Sequence, residues 1–200
     1  GSSRQQWITY RDEQTYRSTV ERGPLFPINS LMLHGLIYAK LAERLSTDPG
    51  HDFPDEVHDY FATGTQLQEM YITPSLLSSS DWDVLAHAAN WARHNADILV
   101  DTHWIGGDPG QLQVYGWAAW SPQGWIVTLR NPSDQPQSYA LDLQSALQVP
   151  QGGRFGSMAT DPFGQPGAAP VRLDPQHAEI HLKPFEVRTF ESTMGDSEPH

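Results

Sequence analysis

Residues 113–121 (QVYGWAAWS), the turn Pro122-Gln123-Gly124 and residues 125–130 (WIVTLR) decide how the chain divides. Two β-branched and aromatic runs flank a short turn containing Gly, the pattern of a β-hairpin. Further short runs follow, at residues 138–143, 171–173, 178–182 and 185–190, separated by turn-rich loops such as residues 131–137. Short strands with regular punctuation predict an antiparallel β-sandwich over residues 109–192. The tail, residues 193–200, is polar and patternless, and is expected to be disordered.

Upstream of the Gly/Pro loop at residues 106–110 the character is different. A helix is predicted from Ser80, an N-cap with Asp83 three residues on, to about Val100, because Trp82, Leu85, Ala88, Ala89, Ala92 and Ala96 or Ile98 recur at helical spacing. Pro54 followed by Asp55-Glu56 opens a shorter helix that ends near Gly64. Residues 65–72 (TQLQEMYI) fit helix and strand equally, and Thr73-Pro74 ends them. Residues 23–29 form an apolar loop with two prolines, and Asn29 or Ser30 caps a predicted apolar helix over residues 31–45, with His34 inside it as a core histidine. At the start, residues 6–10 (QWITY) read as a strand ending at Arg11-Asp12-Glu13.

Composition narrows the function classes. The 200 residues carry 12 basic and 24 acidic side chains, a net charge of −12, so binding to nucleic acid or to an anionic membrane surface is not expected. A neutral substrate fits better. No apolar run approaches the roughly eighteen residues of a membrane span, and no leader pattern opens the chain at Gly1-Ser2-Ser3. With no cysteine there is no disulfide or thiolate site. The nine histidines and the segment 48–55 lack ligand spacing, so neither a metal nor another cofactor is expected. The compartment stays open, with a secreted or periplasmic place favoured over the cytoplasm.

Two stretches carry candidate chemistry. A carboxylate at the end of a barrel strand is a natural general acid/base, which singles out Arg11-Asp12-Glu13; the alternative is a solvated loop. Asp101-Thr102-His103-Trp104 offers polar groups beside an aromatic platform, or else a capped turn with a packed Trp. Seven tryptophans would suit stacking on sugar rings, although core packing is the commoner use of Trp.

Trp7-Ile8-Thr9 followed by Arg11-Asp12-Glu13, the loop from Gly23 into Leu31-Met32-Leu33-His34-Gly35, Thr63-Gly64-Thr65-Gln66-Leu67-Gln68-Glu69, the helix after Asp81 and Leu129-Arg130-Asn131-Pro132-Ser133 together resemble the last third of α-galactosidase-like glycoside hydrolases. These are the melibiase-type enzymes of family 36 and their enterotoxin-like relatives. The resemblance spans roughly residues 7–143.

It implies an α+β fold in which residues 1–108 are the terminal α/β portion of a (β/α)8 barrel and residues 109–192 are the β-sandwich. It also implies a retaining mechanism on α-linked, galactoside-like glycans, with the rest of the barrel upstream as a partner. Asp12 matches the family's acid/base position, where Tyr10-Arg11-Asp12-Glu13 stands in place of the usual Ser-Asp-Asp. Arg11, Glu13, His103 and Trp104 are the candidate substrate-binding residues, and the nucleophile belongs to an earlier strand. The alternatives are a non-catalytic carbohydrate-binding module with exposed tryptophans, or a structural domain that closes a barrel and buries them.

Overall fold

The computed structural model describes residues 1–21, 35–65 and 68–193. The predicted loop at 23–29, its cap at Asn29 or Ser30, and His34 lie outside the described residues, as does the tail from 194.

The chain opens with a helix, α1 (Ser3–Tyr16), continued by a wider π turn Arg17–Glu21. Ser2 caps it by accepting a hydrogen bond from the Gln5 backbone N–H at 3.1 Å. The strand expected over residues 6–10 is therefore absent. The buried face of α1 is Arg4, Gln5, Ile8, Arg11, Asp12 and Thr15, which share one side of a helix but are nearly all polar. Hydropathy periodicity cannot register such a stripe, whereas the β-propensity of Trp7-Ile8-Thr9-Tyr10 is visible locally and is overridden by partners far along the chain.

The helix predicted over residues 31–45 is also absent in its described part. Residues Leu36–Tyr38 form strand β1, and Glu43–Leu45 make a single 3-10 turn. β1 pairs in parallel with β2 (Met70–Ile72), with Leu36 opposite Met70 and Tyr38 opposite Ile72. Between them runs α2 (Phe53–Ala62), with Pro54 in its first turn and Asp55 and Glu56 at its positive end. Gly64 follows at φ +70°, where a Cβ would stand 2.5 Å from the Leu99 carbonyl oxygen, so the helix stops where the chain must pass close to its neighbour.

The ambiguous stretch 65–72 thus ends as the second strand of a β-α-β unit. Then comes α3 (Ser79–His94), with its capping box at Ser78 and Asp81, two residues before the predicted Ser80 and Asp83. Asn95 interrupts it, and α4 (Ala96–Leu99) completes the helical layer.

From His103 the fold is antiparallel β, so the sheet begins inside the region expected to end at 108. It holds β3 (His103–Gly106), β4 (Tyr115–Ser121), β5 (Gly124–Arg130), β7 (Met158–Thr160), β8 (Val171–Arg172) and β10 (Val187–Ser192), in the order β3-β4-β5-β10-β7-β8. The predicted hairpin closes with Ser121 opposite Gly124 and Trp120 opposite Trp125. A second antiparallel pair, β6 (Gln137–Leu141) with β9 (Ala178–Leu182), and the short helix α5 (Leu143–Leu147) cover one face.

Both faces of the larger sheet are buried. Trp125, Val127 and Leu129 share a core with Leu141, Leu147, Ile180 and Phe190. On the opposite face Tyr115 and Trp117 pack on Val57, Phe61 and Leu85 of the helical layer. Two covered faces explain why β4 and β5 read as continuous apolar runs. The α+β class with antiparallel sheets stands as predicted.

Candidate functional site

The polar stripe of α1 meets α2 and the sheet in a buried ionic cluster. Arg4 Nη1 donates to the Ile37 carbonyl at 2.7 Å and to Glu56 at 3.3 Å, Nε lies 3.4 Å from Asp48, and the guanidinium sits over the Tyr38 ring. Two turns on, Arg11 Nη2 donates to Asp59 at 2.6 Å and Nε to Asp12 at 3.5 Å. From the end of β5, Arg130 donates to Thr9 Oγ1 and to the Tyr115 hydroxyl, each at 2.9 Å, and to Gln5 Oε1 at 2.9 Å. The Tyr115 hydroxyl in turn donates to Asp12 Oδ2. Gln5 Nε2 donates onward to Asp52 and Asp55.

Burial dominates the electrostatics here. It pushes the Asp59 carboxyl well above the ordinary range, and the neighbouring Asp12 charge adds to this, against the pull of Arg11 and Arg130. Glu56 is raised to about 7 by burial, with Arg11 and Arg4 drawing it down. Asp55 is raised to about 6 by burial, opposed by its hydrogen bond from Gln5. The Tyr115 phenol is raised as well, by burial above all, so it keeps its proton and donates. Arg11 Nη1, Arg130 Nε and Asp59 Oδ1 are buried without a hydrogen-bond partner. Asp12 is 1 % exposed, and Asp59, Tyr115 and Arg130 are as deeply enclosed.

Arg11 and Asp12 are thus brought together, but inside a helix and sealed from solvent. The expectation of Asp12 at the open end of a barrel strand is corrected. As described, it meets Arg11 and Tyr115 rather than a cleft. Glu13 points elsewhere: it pairs with Arg17 one turn on and reaches an open cavity of about 360 Å³ that Tyr10, Leu112 and Phe185 also line.

His103 and Trp104 do not share a surface, because consecutive strand residues face opposite sides of a sheet. Trp104 stacks on Tyr115, with centroids 5.0 Å apart and planes at 6°, and its indole N–H donates to the Gly107 carbonyl. It backs the ionic cluster. The His103 ring meets the Ala146 carbonyl beside α5, on the other side.

Sequence reasoning missed Arg4, Glu56, Asp59, Tyr115 and Arg130. One signal was available for Arg130, a charge closing the apolar run WIVTLR. A buried cation of that kind needs a partner.

A cleft of about 680 Å³ lies between α2, α3 and the loop joining β7 to β8. Phe163 of that loop stacks on His58 at 4.1 Å and meets Trp91 and His87 edge-on. Burial, and secondly the charge of His87, hold His58 down at about 4. Among the described residues no group of three or more His, Asp or Glu is placed to hold a metal, and no helix is long and apolar enough to cross a membrane.

No protein-family model matches the chain, and no curated protein does. Solved structures do. AmyP in complex with maltose, 10% identical, matches 90% of this chain and 43% of its own at a TM-score of 0.51. A putative α-galactosidase/melibiase from Bacteroides fragilis, 11% identical, matches 70% and 28% at 0.48. The trehalulose synthase MutB from Pseudomonas mesoacidophila, 14% identical, matches 63% and 22% at 0.37. These neighbours are glycoside hydrolases, and this chain spans less than half the length of each. At such identity, what the chain shares with AmyP is the fold.

Proposed function

We propose that the chain is the closing portion of a (β/α)8-barrel glycoside hydrolase together with its β-sandwich, and that the whole protein hydrolyses α-linked, galactoside-like glycans with retention. The observation that carries this is the open β1–α2–β2 unit. Parallel strands occur buried on both faces, flanked by helices. Here the pair has only two strands among the described residues, and Met70 and Tyr71 are 42% and 53% exposed. Further parallel strands belong beside them.

The fold likeness to AmyP, whose structure holds maltose, supports a sugar substrate. A retaining mechanism needs two carboxylates about 5 to 5.5 Å apart at strand ends. Since Asp12 is enclosed in α1, we assign that pair to strands outside this chain. In this reading Asp12 and Arg11 hold the end of the barrel against the β layer.

The binding-module reading is less well supported. In the β part Trp117 and Trp125 are fully buried. Trp104 and Trp120 are half-buried, with their indole N–H groups engaged by backbone carbonyls.

The test is to express the longer protein and assay it on a panel of aryl α-glycosides. Hydrolysis of at least one is expected, and none across the panel overturns the reading. Asp12→Asn is expected to lower thermal stability and leave the pH–rate profile unchanged. Loss of one limb of that profile at unchanged stability would return Asp12 to a catalytic role.

A further inference from the structure

None of the residues lining the cleft between α3 and the β7–β8 loop belongs to the ionic cluster or to β1 and β2. Its volume, about 680 Å³, is within the range of small-ligand sites, roughly 300–1,000 Å³. Arg188 lies half-buried in its wall, with its guanidinium over the Phe190 ring at 4.8 Å. It makes no ion pair within 4.0 Å and no side-chain hydrogen bond to any described residue, so a planar fork of donors is oriented by an aromatic face, with the Asp161 charge near it.

Acceptors stand around it. One Asp161 oxygen takes the Phe163 backbone N–H at 2.9 Å, and the carboxylate also feels the Arg188 charge and the Gly164 N–H. Asp83 of α3 makes no side-chain hydrogen bond or ion pair with described residues and faces the same space. His87 Nε2 is 3.0 Å from the Pro162 carbonyl and donates to it, which fixes the ring at the rim. The rim is fixed in advance, because Phe163 is held among His58, His87 and Trp91, and a preformed wall loses little entropy on binding.

We propose that this cleft is a second glycan-binding site, taking a short neutral saccharide whose hydroxyls accept from Arg188 and donate to Asp161 and Asp83. The choice of saccharide over other neutral ligands rests on the glycoside hydrolase reading. Two carboxylates against one guanidinium, in a chain of net charge −12, oppose a phosphate or another anion. A ligand carrying both donors and acceptors on adjacent carbons matches an array that offers both.

The experiment is an NMR titration of the 200-residue chain with maltotriose and with raffinose. Saturable shifts with a millimolar dissociation constant are expected for at least one of them. Arg188→Gln should weaken it tenfold or more, and Asp83→Asn, at an exposed position that does not endanger folding, severalfold. Absence of saturable binding by the unaltered chain, or equal affinity in both variants, overturns the proposal. The two readings fail separately: hydrolysis by the longer protein without binding here removes only this site, and binding here without hydrolysis removes only the enzyme reading.

Discussion

The two parallel strands and the six-stranded antiparallel sheet meet the same demand, that backbone and apolar side chains be covered, in opposite ways. The larger sheet is covered on both faces by parts of this chain, and its Trp117 and Trp125 are sealed. The β1–β2 pair has three residues per strand, leaves Met70 and Tyr71 in the open, and is followed in the next loop by a fully exposed Leu41. One face of the larger sheet is covered by β6, β9 and α5, the other by the helical layer. The β1–β2 pair is held by α2 and by a cluster of buried charges that reaches across to β5. Such a cluster adds little net stability while intact but is costly to break, because removing one partner strands the rest without water.

The comparison is most sharply broken by cutting the molecule at the start of the sheet. Residues 101–193 alone keep the core around Trp125 and Leu129 but lose the helices over Tyr115 and Trp117, so they should unfold cooperatively in urea at a lower midpoint than the whole chain, and residues 1–100 alone should show no cooperative transition. A cooperative transition in the helical piece would show that the open pair needs no further cover.

Next in size is Arg130→Ala, which withdraws the buried donors from Thr9, the Tyr115 hydroxyl and Gln5 Oε1 and leaves Arg11 to balance Asp12 and Asp59; a loss of about 3–5 kcal/mol is expected from urea melts. A loss below about 1 kcal/mol would mean that the cluster does not join the two halves.

A smaller effect concerns the contact between the loop and α2. His58 is held down at about 4 from an ordinary 6.5, so between those values the unfolded chain binds the extra proton. Its contribution is complete above about 6.5 and is lost as the pH falls toward about 4. Asp55, raised to about 6, and Glu56, raised to about 7, act in the opposite sense, since their contribution falls as the pH rises across the same window. Both carboxyls remain in His58→Gln, so the difference between proteins isolates the histidine. The variant should lose a few degrees less in Tm than the wild type between about pH 7 and about pH 5. Parallel curves would mean that His58 is solvated.

Smallest is Tyr71→Ser, expected to change stability by no more than about 0.5 kcal/mol while reducing self-association in light scattering, because the ring is 53% exposed and its hydroxyl bonds only to the Glu69 side chain among the described residues. A large destabilisation would place Tyr71 in a core.

The hairpin 115–130, the opening of α2 at Pro54 and strands β6, β8, β9 and β10 were legible in the sequence, because each is set by neighbours in the chain: an apolar run, a turn residue, an acid in a first turn; β7 was not. The cap of α3 was legible to within two residues, since three serines in a row offer competing caps. The first helix was not legible, because what it buries is polar and is satisfied by groups as distant as Arg130, 121 residues from Thr9.

The same holds for the site. Arg11 and Asp12 could be singled out from sequence as a charged pair after an aromatic run, but their enclosure depends on Tyr115 and Asp59, which only the fold brings near. His103 and Trp104 are neighbours in sequence and are separated by the sheet itself. Sequence determined the elements whose burial is apolar, since that pattern repeats locally. The tertiary structure alone decided where charge is buried, since a buried charge is tolerated only beside a partner, and these partners are far apart along the chain.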